Sequence, residues 1–277
     1  MTVLGYLGIP RIEVFVPNSV EDAVNLLQTH PDAEILAAGT HIITQLTLGA
    51  KRTRKFIDIN NLHQLRKISH HQGVASVGSL VTHQELASTL MNHVPAFATF
   101  LQKYSSPAVA NRATVGGSIM LRLAGEDLLP ILLTLDTELS FATSEDVKKV
   151  ALTTFLTRGF DGRGLLQTVS FKLIRSCFFD KLWMGVSRIP LISVAVSRSE
   201  NEDVRVAVSH KDGSTPGRVA AVEKFLSKHG LSSEAVEKAS QLMTDSINPE
   251  TDVLASSWYR RRAAGVLLKR LLQNLMR

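Results

Sequence analysis

An α+β protein in three successive regions is what the sequence predicts, and three patterns lead there. Residues 1–69 carry a strand–helix–strand order closed by a glycine, residues 70–175 an irregular mixture of short strands and helices, and residues 176–277 an antiparallel hairpin followed by helices. With 277 residues, 44% hydrophobic and 20% charged, the chain has material for one large core or two to three small ones. That charge fraction is too low for a disordered polymer.

The first region opens on alternating residues at 11–16, read as a strand. Ser19, with Asp22 three positions on, marks the start of a helix running to Thr29. Residues 35–38 form a short buried strand ending on Gly39-Thr40-His41, and residues 56–59 supply another. In the second region residues 74–77 are strand-like, and Thr82 with Glu85 is a capping box for a helix over residues 83–91. A further helix is expected over residues 95–104. Past Pro107 the pattern turns irregular, with its densest turn signal at residues 111–118. An apolar helical stretch at residues 127–135 follows, then short strands at 138–141, 147–152 and 165–173. The third region begins near Lys181. Residues 191–197 and 204–208 flank the polar stretch 198–203, a hairpin signal, and helices follow at 218–228, 234–243 and 257–272.

Several function classes drop out on composition. No run approaches 18 apolar residues, so no membrane span is expected, and the first residues lack the basic and apolar segments of an export signal. A cytoplasmic protein is the resulting expectation. The net charge is +6 and the pI about 9.5, yet basic residues cluster only at residues 51–55 and around Arg260-Arg261-Arg262 with Lys269 and Arg270. Neither cluster has the interleaved aromatics of a nucleic-acid interface, so both read as solvated faces or as a docking surface for an acidic partner. The lone Cys177 excludes an internal disulfide and an iron–sulfur cluster held by this chain's own thiolates. Nine histidines show no HExxH spacing, and the serine-hydrolase, Rossmann and P-loop signatures are missing.

Two glycine-bearing segments are the candidates for chemistry. Leu36-Ala37-Ala38-Gly39-Thr40-His41 follows a strand with residues small enough for a ligand to approach the backbone, whose amides can face anionic oxygens. Thr114-Val115-Gly116-Gly117-Ser118 offers the same means and two hydroxyls. Two such loops could clamp a pyrophosphate; the same residues also read as ordinary turns. Asp127 reads as the cap of the helix behind it, or as a carboxylate accepting from a ribose hydroxyl or a base. In Lys181-Leu182-Trp183-Met184 the indole and thioether suit a flat ring and the ammonium its edge, or else the segment simply packs between regions.

With both loops in view, the chain resembles, over nearly its whole length, the FAD-binding medium subunit of xanthine dehydrogenase, carbon monoxide dehydrogenase and related molybdenum hydroxylases. The family's first flavin loop, L-A-G-G-T-D/S, is similar to residues 36–41. Its second, R-N-x-A/G-T-I/V-G-G-N, is similar to the stretch ending in Ser118, with Asn111 on the motif's asparagine and Ala110 in place of its arginine. The aspartate that precedes the family's apolar helix falls on Asp127, and Ser257-Trp258-Tyr259-Arg260-Arg261 resembles a motif near the family's C-terminus. The resemblance implies a two-part FAD-binding domain of the PCMH, vanillyl-alcohol-oxidase-like type, then a C-terminal domain with an antiparallel sheet packed by helices. It implies that amides of both loops hold the FAD pyrophosphate, with hydroxyls from Thr40, Thr114 and Ser118. Asp127 would then contact the adenosine end and Lys181 lie near the isoalloxazine.

The same resemblance implies partners: a large subunit with the molybdenum cofactor, a small subunit with two [2Fe-2S] clusters, and a dimer of heterotrimers as the assembly. Electrons would pass through FAD to an acceptor such as NAD or oxygen, with no catalytic side chain from this chain. The sequence departs from the family pattern at Ala38 (usually glycine), His41 (usually Asp or Ser) and Ser118 (usually Asn). Met184 and Gly185 stand at an arginine pair and Ile189 at an aspartate. These departures open a second reading, a structural or assembly subunit with a degenerate flavin site.

Overall fold

The computed structural model describes residues 11–103, 106–185, 189–213 and 215–276. The start of the chain, Tyr104 at the end of an expected helix and the side chain of Ile189 lie outside the described residues.

The first region holds β1 (Glu13–Phe15), α1 (Val20–Thr29), β2 (Glu34–Leu36), α2 (Ile42–Thr47) and β3 (Lys55–Asp58). The strands form a parallel sheet in the order β1-β3-β2. Ser19 Oγ accepts from the Asp22 amide at 3.1 Å, so one orphan donor of α1 is satisfied where the sequence placed the cap. Val20, Ala23, Val24 and Leu27 recur at helical spacing and pack on Ile57 and Ile59, and also on Ala142 and Leu165 of the next sheet. β2 is shorter and less buried than expected, because Ala37 and Ala38 have already left the strand.

The second region continues with β4 (Ile68–His71), β5 (Val74–Gly78), α3 (His83–Leu90), α4 (Ala96–Gln102), α5 (Pro107–Ala110), α6 (Val115–Leu121) and α7 (Leu128–Thr134). It closes with β6 (Glu138–Ala142), β7 (Val147–Ala151), α8 (Leu152–Arg158) and β8 (Leu165–Lys172). Its sheet is antiparallel throughout, ordered β4-β5-β8-β6-β7. The capping box forms as the spacing requires: the Glu85 amide donates to Thr82 Oγ1 at 3.2 Å and the Thr82 amide to Glu85 Oε2 at 2.8 Å. Thr82→Ala should therefore cost about 1 kcal/mol; a lower urea midpoint with an unchanged slope is the expected reading.

Residues 115–121 are helical where the sequence pointed to a turn. Thr114 is extended and caps the helix by accepting from the Gly117 amide at 3.1 Å. Gly116 lets α6 lie against the backbone of residue 79, where an added Cβ would stand 2.7 Å from both Ser79 Cβ and its carbonyl oxygen. Burial of Val115 and Ile119 outweighs the propensity cost of the glycine pair, about 1 kcal/mol each.

The third region comprises β9 (Cys177–Met184), β10 (Ile189–Arg198), β11 (Val204–Gly213), β12 (Thr215–Arg218), α9 (Ala220–His229), α10 (Ser233–Ser246), β13 (Asn248–Pro249) and α11 (Ser257–Leu275). The sheet runs β12-β11-β10-β9, antiparallel, with β13 parallel on β11. One face of β10 and β11 (Ile192, Val194, Val196, Val206) packs under α9, α10 and α11. The other face, through Cys177, Phe179, Ala195 and Ala207, joins the core of the second region around α4 and α7. Helices thus cover both faces of this sheet, its own on one side and those of the second region on the other. Arg260 does not belong to a basic surface: it is 1% exposed and bound to Asp252 Oδ2 at 2.7 Å and to the Glu250 carbonyl at 2.6 Å. Lys51 and Lys55 are likewise paired, with Glu34 and Asp32. Among the described residues no helix is long and apolar enough to cross a membrane.

Candidate functional site

The two glycine segments, far apart in sequence, meet across a cavity of about 530 Å³. One side is Ala37, Ala38, Gly39, Thr40 and His41; the other is Thr114, Gly116, Gly117 and Ser118. Leu36 and Val115 are off the wall: Val115 is in the core and Leu36 is half-buried in β2.

The loops differ in what they offer. Among the described residues the amides of Ala38, Gly39, Thr40 and His41 donate to no acceptor, so this turn is a set of free donors around the strand end. Gly39 makes the turn with φ +76°, a conformation that L side chains rarely adopt. Of the second loop's amides only that of Thr114 donates to no acceptor among the described residues. Val115 donates to the Val81 carbonyl at 2.9 Å, Gly116 to Ser79 at 2.9 Å, Gly117 to Thr114 Oγ1 at 3.1 Å and Ser118 to the Thr114 carbonyl at 3.0 Å. Of the amide clamp expected of both loops, the first loop offers four free donors and the second only that of Thr114. The second gives a bare glycine surface, and the Thr114 hydroxyl accepts as the helix cap while keeping its own proton to donate.

Asp127 and Lys181 are brought together, but not on the cavity wall. Lys181 Nζ donates to Asp127 Oδ2 at 2.5 Å, with side chains 2% and 8% exposed. Asp127 makes no side-chain cap bond to α7. The cause lies in the register of β9, where Cys177, Phe179 and Lys181 alternate inward, so the ammonium enters the core and needs an anion there. Burial raises the Asp127 carboxyl above its ordinary value, while the Lys181 charge opposes that rise. Trp183 and Met184 are 37% and 44% exposed and line a different cleft with Trp258 and Tyr259, so neither side chain covers the cavity or fills the core.

The sequence reading missed two groups behind the second loop. His83, 1% exposed, sits with Nε2 2.9 Å from Ser118 Oγ, and burial drops its pKa to about 4 against a backbone hydrogen bond at Thr114. Glu126 is on the cavity wall, its carboxyl pushed up to about 7 by desolvation and by the neighbouring Asp127, with Ser118 and the Leu128 backbone opposing. The adjacency of Glu126 and Asp127 was visible in sequence; that the two point to different surroundings was not. Among the described residues, no group of three or more His, Cys, Asp or Glu could hold a metal ion.

Known proteins resemble this chain in sequence and in fold. Residues 10–169 match the model of the FAD binding domain in molybdopterin dehydrogenase, and residues 189–275 that of the CO dehydrogenase flavoprotein C-terminal domain. The chain is 23% identical to the nicotine 6-hydroxylase medium subunit of Paenarthrobacter nicotinovorans, over 95% of this chain and 97% of that one. It is 32% identical over 142 residues to a xanthine dehydrogenase FAD-binding subunit of Escherichia coli, covering 50% of this chain and 49% of that one. In fold it is similar to a chain of carbon monoxide dehydrogenase from Hydrogenophaga pseudoflava, with a TM-score of 0.90 and 22% identity over 97% of this chain and 98% of that one.

Proposed function

The chain belongs to the family of FAD-binding domains of molybdopterin dehydrogenases, and on that premise we propose that it holds a single FAD between its first loop and α6 as the medium subunit of a molybdenum hydroxylase-type oxidoreductase. The observation that carries this reading is the turn at Gly39, whose residues from Ala38 to His41 line the cavity with amides that have no acceptor among the described residues. Such donors suit the anionic oxygens of a pyrophosphate without any cationic side chain. Thr40, exposed at the same turn, adds a hydroxyl. Gly116 and Gly117 let the dinucleotide lie close to α6, and Ser118 presents a second hydroxyl, shared with His83. Asp127 and Lys181 act behind the wall as a strut between α7 and β9, not as contacts.

FAD, when bound, supplies redox chemistry that no side chain here can. Burial pushes the Cys177 thiol up to about 12, so it stays protonated and inert. The chain would take electrons from the [2Fe-2S] clusters of a small subunit, downstream of a large molybdenum-cofactor subunit, and pass them to an acceptor such as NAD or oxygen. One observation favours the alternative, a structural or assembly subunit with a degenerate site: the acidic Glu126 on the wall of a cavity meant for an anion. The deciding measurement is flavin content and the visible spectrum of the purified chain, before and after adding FAD. Near-stoichiometric flavin is expected; no uptake, alone or with partner subunits, selects the structural role.

A further inference from the structure

Two acids line the cavity, and they are held differently. Glu34 has its own cation, Lys51 Nζ at 2.5 Å. Glu126 forms no salt bridge among the described residues, since the nearest ammonium, Lys181, is committed to Asp127. Around Glu126 stand Ser118 from α6, Asp127 and the Leu128 backbone at the head of α7, and Lys181 from β9. At the neighbouring Gly125 an added Cβ would stand 3.3 Å from His210 Nε2 of β11, and burial drops the His210 pKa to about 4, leaving it neutral. The Ser118 hydroxyl has one proton to share between the neutral imidazole of His83 and Glu126. A charged carboxylate is therefore poorly supported here, and an anionic ligand in the same cavity would add a further negative charge.

We propose that Glu126 is a binding residue of this cavity that carries a proton when the dinucleotide is bound, so that FAD binding is coupled to protonation of this carboxyl. The inference rests on the flavin reading above. With desolvation and Asp127 pushing the free carboxyl up to about 7, the part of the population that is ionised near neutrality gains the proton on binding. Proton uptake and loss of affinity at high pH are then the same linkage seen from two sides.

The test measures FAD affinity by flavin fluorescence from about pH 6 to about pH 9, for the full chain and for Glu126→Gln, whose amide keeps the shape and cannot ionise. The expected result is a dissociation constant nearly constant below pH 7 that rises up to about tenfold per pH unit above it, a slope lost in Glu126→Gln. Calorimetry of FAD binding near neutral pH, in buffers of different ionisation enthalpy, should show fractional proton uptake by the unaltered chain, a reading that needs no variant. Tight binding with a flat profile and no proton uptake overturns the inference and leaves the flavin reading standing, as does an unchanged slope in Glu126→Gln. Failure to bind FAD at any pH, with or without partner subunits, overturns both.

Discussion

Lys181→Met should lower the stability of the chain by about 3–5 kcal/mol, the range for removing one partner from a buried ion pair. The Asp127 carboxylate would be left 8% exposed, without the ammonium that now donates to it at 2.5 Å. Its carboxyl is already raised by burial, and losing Lys181 raises it further. A folded-state value above the unfolded one makes stability fall as pH rises through it. The defect should thus be largest in alkali and shrink in acid, where Asp127 is neutral. Urea unfolding of the single variant and of Lys181→Met with Asp127→Leu decides the matter. The double variant should recover most of the loss, because the apolar pair leaves no charge behind. A single variant as stable as the parent would show that water reaches Asp127 and that the pair is no strut.

Gly39→Asp should weaken FAD binding by on the order of 100-fold while leaving the fold largely intact. Asp tolerates a positive φ better than most residues, and its Cβ would meet only side-chain atoms, Ile43 Cγ1 at 3.0 Å and Leu36 Cδ1 at 3.6 Å. The new carboxylate would stand among the free amides and compete for them. At a few ångströms a second negative charge costs about 4 kcal/mol at an effective dielectric of 20, so a loss near 2.7 kcal/mol is a conservative expectation. Fluorescence titration with FAD beside a urea curve separates the two effects. Equal affinity in the variant would place the anion elsewhere in the cavity.

Local signals were legible and long-range ones were not. The caps at Ser19 and Thr82 and the hairpin of β10 and β11 follow from short-range chemistry, and the structure has them where the sequence puts them. Both glycine loops were found, but α6 was hidden: two consecutive glycines look like a turn until residue 79 supplies the surface that only glycine can approach. The Asp127–Lys181 pair spans 54 positions and leaves no local trace. The period of two in Cys177, Phe179 and Lys181 could have placed Lys181 on the buried face of a strand, but the sequence reading begins the third region near Lys181, with its first strand at residues 191–197. Glu126 escaped because sequence shows only that it adjoins Asp127, whereas its character comes from desolvation at the cavity and from that neighbouring charge.

The self-contained hydrogen bonding of the second loop bears on when the cofactor can arrive. Since Val115, Gly116, Gly117 and Ser118 each find an acceptor within the chain, that half of the cradle holds its shape without a guest. Unmet donors gather at the rim around Gly39, where water can serve until it is displaced. Loading is then an encounter between a finished receptacle and its cargo. A polypeptide built this way can leave the ribosome, fold, and wait for its flavin.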